Sequence, residues 1–108
     1  MSQWTAVCQL TQILPATGVC ALVNGQQIAI FRPRDDEQLF AISNIDPFAD
    51  ASVLSRGIIA EHQDALWVAS PLKKQRFRLY DGHCMEDEAR SVAAYPVRVS
   101  AGQVEVCA

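Results

Sequence analysis

The chain has 108 residues, half of them hydrophobic, and a formal net charge of −3, a size and composition suited to one globular domain over residues 1–108 with one core. The acidic balance gives no general attraction to nucleic acid or to an anionic membrane surface. No apolar run approaches the length of a membrane span, and "MSQWTAVCQL" lacks a basic region followed by an apolar one, so the chain reads as cytosolic.

In chain order, "LTQIL" offers helical spacing for about a turn. "VCALV" and "QIAIF" then flank Asn24-Gly25, a hairpin signal because both turn positions tolerate positive φ. "QLFAI" follows the polar turn "PRDDE". The stretch from Ser43 to Gly57, "SNIDPFADASVLSRG", has no confident strand pattern, and a loop of that length in a compact domain is often functional. Part of "ASVLSRGIIAEHQ" again has helical spacing, for a turn or two. "ALWVAS" has the aromatic and β-branched content of a strand. "RFRLY" alternates, with Phe77 and Leu79 opposed to Arg76, Arg78 and Tyr80, before the turn Asp81-Gly82. "YPVRV" and "QVEVC" alternate too and form a hairpin across "SAG", with Val97, Val99, Val104 and Val106 facing the core. The class is all-β, a sandwich or small barrel.

Chemistry-bearing residues are sparse. Cys8, Cys20, Cys84 and Cys107 have no secretion signal to suggest a disulfide framework and no paired spacing to suggest zinc, which makes them reduced, buried and inert. His62 lies in the polar "AEHQD" segment and His83 follows a turn; neither sits in a recognisable catalytic constellation, and nothing in the sequence joins Cys84 to either of them. Phosphate-binding, dinucleotide-binding, haem-attachment and nucleophile-elbow motifs are absent.

Two segments carry a resemblance. Rieske-type iron-sulfur domains place a Cys-x-His in one loop and a Cys-x-x-His in a second, since two thiolates hold one iron and two imidazoles the other. "NIDPFADASVLSRG" resembles the first loop and "VASPLKKQRFRLYDG" the second, including the proline after each first ligand position. The ligand positions hold Asp46, Phe48, Ser70 and Lys73. A phenyl ring cannot ligate iron and a charged lysine opposes it, so no [2Fe-2S] cluster and no other metal is expected. At full length, "FAISNIDPF", "SVLSRG", "WVASPLKKQRFRL" and "DGHCMEDE" are similar to the small-subunit family of cytosolic NADH-dependent nitrite reductases. That resemblance implies a cofactor-free Rieske-like fold. It also implies a partner, the large subunit, which carries FAD, an iron-sulfur cluster and sirohaem and reduces nitrite to ammonia in nitrate assimilation. The other reading is a binding module of a different cytosolic redox enzyme, such as an oxygenase-type electron chain.

Lys73, Lys74, Arg76 and Arg78 concentrate positive charge in an acidic chain. They read either as a solvated strand face or, with Phe48, as a rim that meets an acidic patch on a partner. A single-stranded nucleic-acid surface would need more aromatic platforms than the chain supplies. Phe48 reads equally as a core plug or an interface anchor. Asp46 and Lys73 are expected to pair as ions across the two loops.

Overall fold

In a computed structural model, which describes residues 3–108, the chain is built from short antiparallel strands. They are β1 (Trp4–Gln9), β2 (Thr17–Val23), β3 (Gln26–Arg32), β4 (Phe40–Ser43), β5 (Ile45–Asp46), β6 (Ala51–Ser52), β7 (Ile58–His62), β8 (Ala65–Ala69), β9 (Arg76–Arg78), β10 (Ala94–Tyr95), β11 (Val97–Ser100) and β12 (Gln103–Cys107). The only helical pieces among the described residues are 3₁₀ turns at Leu10–Gln12, Leu54–Arg56 and Glu88–Arg90.

The β2–β3 hairpin turns at Asn24 and Gly25, both at positive φ (50° and 77°), as the dipeptide dictates. The β11–β12 hairpin turns at Ala101 and Gly102 in the same way (50° and 78°). Pro96 lies between β10 and β11, so "YPVRV" serves two sheets: Tyr95 pairs with Ala41, and Val97 pairs with Val106.

The sheet β10-β4-β3-β2 has packing on both faces. Ile28 and Ile30 of β3 point to one side, where they meet Ile13, Val23, Leu39, Ala41, Val104 and Val106. Ala29 and Phe31 point to the other, where they meet Ile42, Leu54, Val68, Phe77, Leu79 and Cys84. Burial on both faces explains the unbroken run Ile28–Phe31, every residue of it fully buried. The sheet β1-β12-β11 closes the first core, with Val97 and Val99 half-buried against it; β7-β8-β9 closes the second.

The helical part of "ASVLSRGIIAEHQ" is Leu54–Arg56, and Ile58–His62 beyond it forms β7 and pairs with β8. Trp4–Gln9, to which no element was assigned from sequence, forms β1 with a bulge between Ala6 and Cys8. One expectation needs correction. The thiols are free but not uniformly buried: Cys84 is in the core, Cys8 and Cys107 are half-buried, and Cys20 is exposed on the sheet-edge strand β2. Burial pushes the Cys8 thiol up from its ordinary value, which lowers its reactivity.

Candidate functional site

The two loops singled out in the sequence meet at one end of the β7-β8-β9 sheet. The first is the β5–β6 hairpin. Its geometry starts at Asn44, a buried residue whose Nδ2 donates to Ser52 Oγ (2.8 Å) and whose Oδ1 accepts from the Ser55 backbone N–H (2.6 Å). The Asn44 carbonyl accepts from the N–H groups of Val53 and Leu54, so one side chain and its own backbone shape the exit of the loop. Gly57 then passes so close to Ala69 that a Cβ there would collide with the Ala69 carbonyl, which locks this exit against the strand leading into the second loop.

The second loop, Ser70 to Gln75, is closed at its base by the Ser70 N–H donating to the Gln75 carbonyl (2.9 Å), one step beyond the Ala69–Arg76 pair of β8 and β9. Lys74 takes a positive φ of 64° and donates its N–H to the Ser70 carbonyl (3.1 Å). Arg90 reaches in from the 3₁₀ turn Glu88–Arg90: its Nη1 donates to the Pro47 carbonyl (3.0 Å), and its guanidinium carbon lies 5.4 Å from the Phe48 ring centroid.

Of the four ligand-position residues, Asp46 and Lys73 do not pair as the sequence suggested. Asp46 and Ser70 are fully buried, and the Ser70 hydroxyl donates to Asp46 Oδ2 across 2.5 Å. Asp46 Oδ1 accepts from the Phe48 N–H (2.8 Å). The expected Asp46–Lys73 ion pair is therefore a misassignment: Lys73 is exposed and joins none of the ion pairs among the described residues. A buried carboxylate takes the nearer, equally buried hydroxyl, while the ammonium keeps its hydration on the outer turn. Phe48 is half-buried, packed against the second core with its ring 6.3 Å from that of Phe77.

The basic block also divides. The Arg76 guanidinium donates to Glu86 (2.6 Å), and its backbone N–H donates to the same carboxylate (2.8 Å). Arg78 makes a two-bond contact with Asp81 (2.8 and 2.6 Å) while lying 5.4 Å from the Trp67 ring centroid. Arg78 thereby holds the Asp81 carboxyl below its ordinary value. Burial raises Glu86, but its bonds from Arg76 outweigh that and leave it lowered. Of the four cations, Lys73 and Lys74 alone have no ion-pair partner among the described residues, and Leu72 beside them is 53% exposed.

His62 is exposed on β7, and His83 stands edge-on to Trp67 at 6.3 Å. Among the described residues no group of three or more His, Cys, Asp or Glu side chains is placed to hold a metal. A groove of about 550 Å³ lies between Arg34, Phe40, Glu61, Asp64, Tyr80 and neighbours, and none of the ligand-position residues lines it. Sequence reasoning missed Asn44, whose partners Ser52 and Ser55 lie within the same loop stretch, and Arg90, whose partner Pro47 lies in another segment. It also missed Glu86 and Asp81 as counter-ions, although their nearness in sequence to the arginines was a usable signal.

This strand order and this pair of proline-bearing loops define a Rieske-like domain. A family model, the Rieske-like [2Fe-2S] domain, matches residues 3–107. The chain is 67% identical over 106 residues to the nitrite reductase (NADH) small subunit of Salmonella typhimurium, covering 98% of both chains. The NMR structure of the Escherichia coli protein NirD superimposes on it with a TM-score of 0.94 at 64% identity, covering 100% of this chain and 98% of that one. A 103-residue match at 41% identity covers 95% of this chain but 11% of the nitrite reductase [NAD(P)H] large subunit of Klebsiella oxytoca. The chain belongs to the Rieske-like domain family and, within it, to the small-subunit family of NADH nitrite reductases.

The cluster for which the domain family is named does not fit these residues. It requires two thiolates and two imidazoles. Here a carboxylate and a hydroxyl are already bonded to each other, a phenyl ring packs on Phe77, and an ammonium points to solvent.

Proposed function

We propose that residues 1–108 act as one cofactor-free domain, the non-catalytic small subunit of a cytoplasmic NADH-dependent nitrite reductase that serves nitrate assimilation. The observation that carries this reading is 67% identity across 98% of both chains with a protein named as that small subunit. Nitrite reduction to ammonia is a multi-electron reaction that needs redox cofactors, and side chains cannot replace them. FAD, an iron-sulfur cluster and sirohaem are accordingly assigned to the large subunit, and this chain's part is assembly or activation of that polypeptide.

The Klebsiella oxytoca relative supports the partner assignment from a second direction. There a segment similar to this chain is part of a polypeptide named as the large subunit. Covalent linkage supplies a high effective concentration; a separate chain must reach the same place through an interface. The surface best suited to it is the two-loop tip, with Phe48, Lys73 and Lys74 as contacts. Arg76 and Arg78 border it but are occupied by Glu86 and Asp81. Exposed cations of this kind set orientation and association rate more than affinity.

Affinity capture with the tagged chain from its own cytosol after growth on nitrate tests the reading. Recovery of a large polypeptide with flavin and sirohaem absorption is expected. Recovery of a different redox enzyme would move the function to that partner, and recovery of none would refute the subunit assignment.

A further inference from the structure

The two loops are built alike. In each, the residue at the first ligand position is followed by proline, and its side chain accepts a hydrogen bond from the backbone N–H two residues on: Asp46 Oδ1 from Phe48 (2.8 Å), and Ser70 Oγ from Leu72 (3.3 Å). These are an Asx turn and its hydroxyl counterpart, which fix the start of each loop. The two turns are then joined by the hydrogen bond from Ser70 Oγ to Asp46 Oδ2. A continuous path results, from the Phe48 N–H through Asp46 and Ser70 to the Leu72 N–H, and both linking side chains are excluded from solvent. In the low local dielectric such a bond is strong, and its loss would strand a buried carboxylate.

In a cluster-bearing domain the iron atoms join the two loops through the same positions. We propose that the Asp46–Ser70 hydrogen bond does this joining here, and thereby sets the shape of the Pro47–Phe48 and Leu72–Lys74 surface on which the large subunit docks. Asp46 and Ser70 are positioning residues: they are buried and do not touch the partner. Leu72, Lys73 and Lys74 are exposed and do. Arg90, bonded to the Pro47 carbonyl, steadies the first loop from the side. The docking half of this proposal rests on the subunit reading above; the joining of the loops does not.

Amide hydrogen exchange on the full chain tests the joining. The amides of Asp50 and Lys74 are informative because they bond to the backbone carbonyls of Asp46 and Ser70, which substitution leaves in place. Asp46→Ala and Ser70→Ala should speed their exchange at least about tenfold while amides of β3 and β12 stay protected, as local opening without global unfolding requires. Asp46→Asn, which still accepts from Phe48 and donates to Ser70, should restore most of the protection. Binding of the purified large subunit tests the docking: both alanine variants should raise Kd at least about tenfold, chiefly through slower association, with Asp46→Asn close to wild type. Exchange at Asp50 and Lys74 within about twofold of wild type in both alanine variants would overturn the joining role. Faster exchange with an unchanged Kd would overturn the docking role. Failure of the wild-type chain itself to bind would refute the subunit reading and the docking role together, leaving exchange to decide the joining. Should Asp46→Ala not fold, Ser70→Ala, which removes only a hydroxyl, carries the comparison.

Discussion

The ring of Phe48 stands 6.3 Å from that of Phe77 at an interplanar angle of 56°. Phe77 is fully buried and Phe48 half-buried, so Phe48 closes the second core at the loop end while its outer edge stays open beneath Arg90. The plug reading therefore describes its packing against the second core, and the anchor reading belongs to the interface proposed above. Phe48→Ala should cost about 2 kcal/mol of stability, less than a fully buried phenylalanine, and Phe48→Leu about half of that. Urea unfolding checks both; a loss under about 0.5 kcal/mol for the alanine variant would mean the ring contributes no packing.

Charge reversal separates the basic block into two functional halves. Lys73→Glu with Lys74→Glu should weaken binding of the large subunit in a salt-dependent way and leave stability within about 0.5 kcal/mol of wild type. Arg78→Glu should instead destabilise the chain, because it sets a carboxylate against Asp81 and removes the cation lying over Trp67. Melting temperature and affinity, measured on the same variants, should therefore respond to different substitutions.

Acid sensitivity follows from the two carboxylates that face the arginines of β9. Asp81 and Glu86 are held below their ordinary values of 3.8 and 4.5 in the folded chain. Each therefore adds stability that is complete above the ordinary value and is lost as pH falls through the lowered one. Both are partly exposed, so each contribution is under about 1 kcal/mol after solvent screening. Asp81→Asn combined with Glu86→Gln should flatten the fall in stability between about pH 5 and pH 3, with little change in how the remaining carboxylates respond. An unaltered slope in that window would show that the pairs do not persist in solution.

Chelation discriminates hydrogen-bonded loops from metal-held ones. A structural metal contributes its binding free energy to folding, and its removal lowers the melting temperature. The isolated chain should melt at the same temperature with and without EDTA and after exposure to a strong reductant. A fall of several degrees would assign the loops a metal despite the residues at the ligand positions.

Much of the fold was legible because single residues enforce it. Asn24-Gly25 demanded a hairpin, the valines of β11 and β12 marked their inward faces, and Phe77 and Leu79 alternated with polar neighbours. β1 was hidden by its bulge, which breaks the period of two between Ala6 and Cys8. β7 was hidden because it is a sheet-edge strand with Ile58 75% exposed, so its apolar residues do not alternate with burial. The loops themselves were recognisable from their prolines and ligand spacing. Their internal bonding was not, because formal charge pointed Asp46 toward Lys73, whereas burial decides the partner and places Ser70 beside it.

The most direct test of the central claim is the rate of nitrite-dependent NADH oxidation by the purified large subunit, measured with and without this chain, the chain having been assayed for iron and acid-labile sulfide beforehand. A rate that rises saturably with added chain, the chain itself holding neither iron nor sulfide, is the predicted result. A rate indifferent to the chain, or a stimulation that tracks iron carried by it, would contradict the account of a cluster-free supporting subunit.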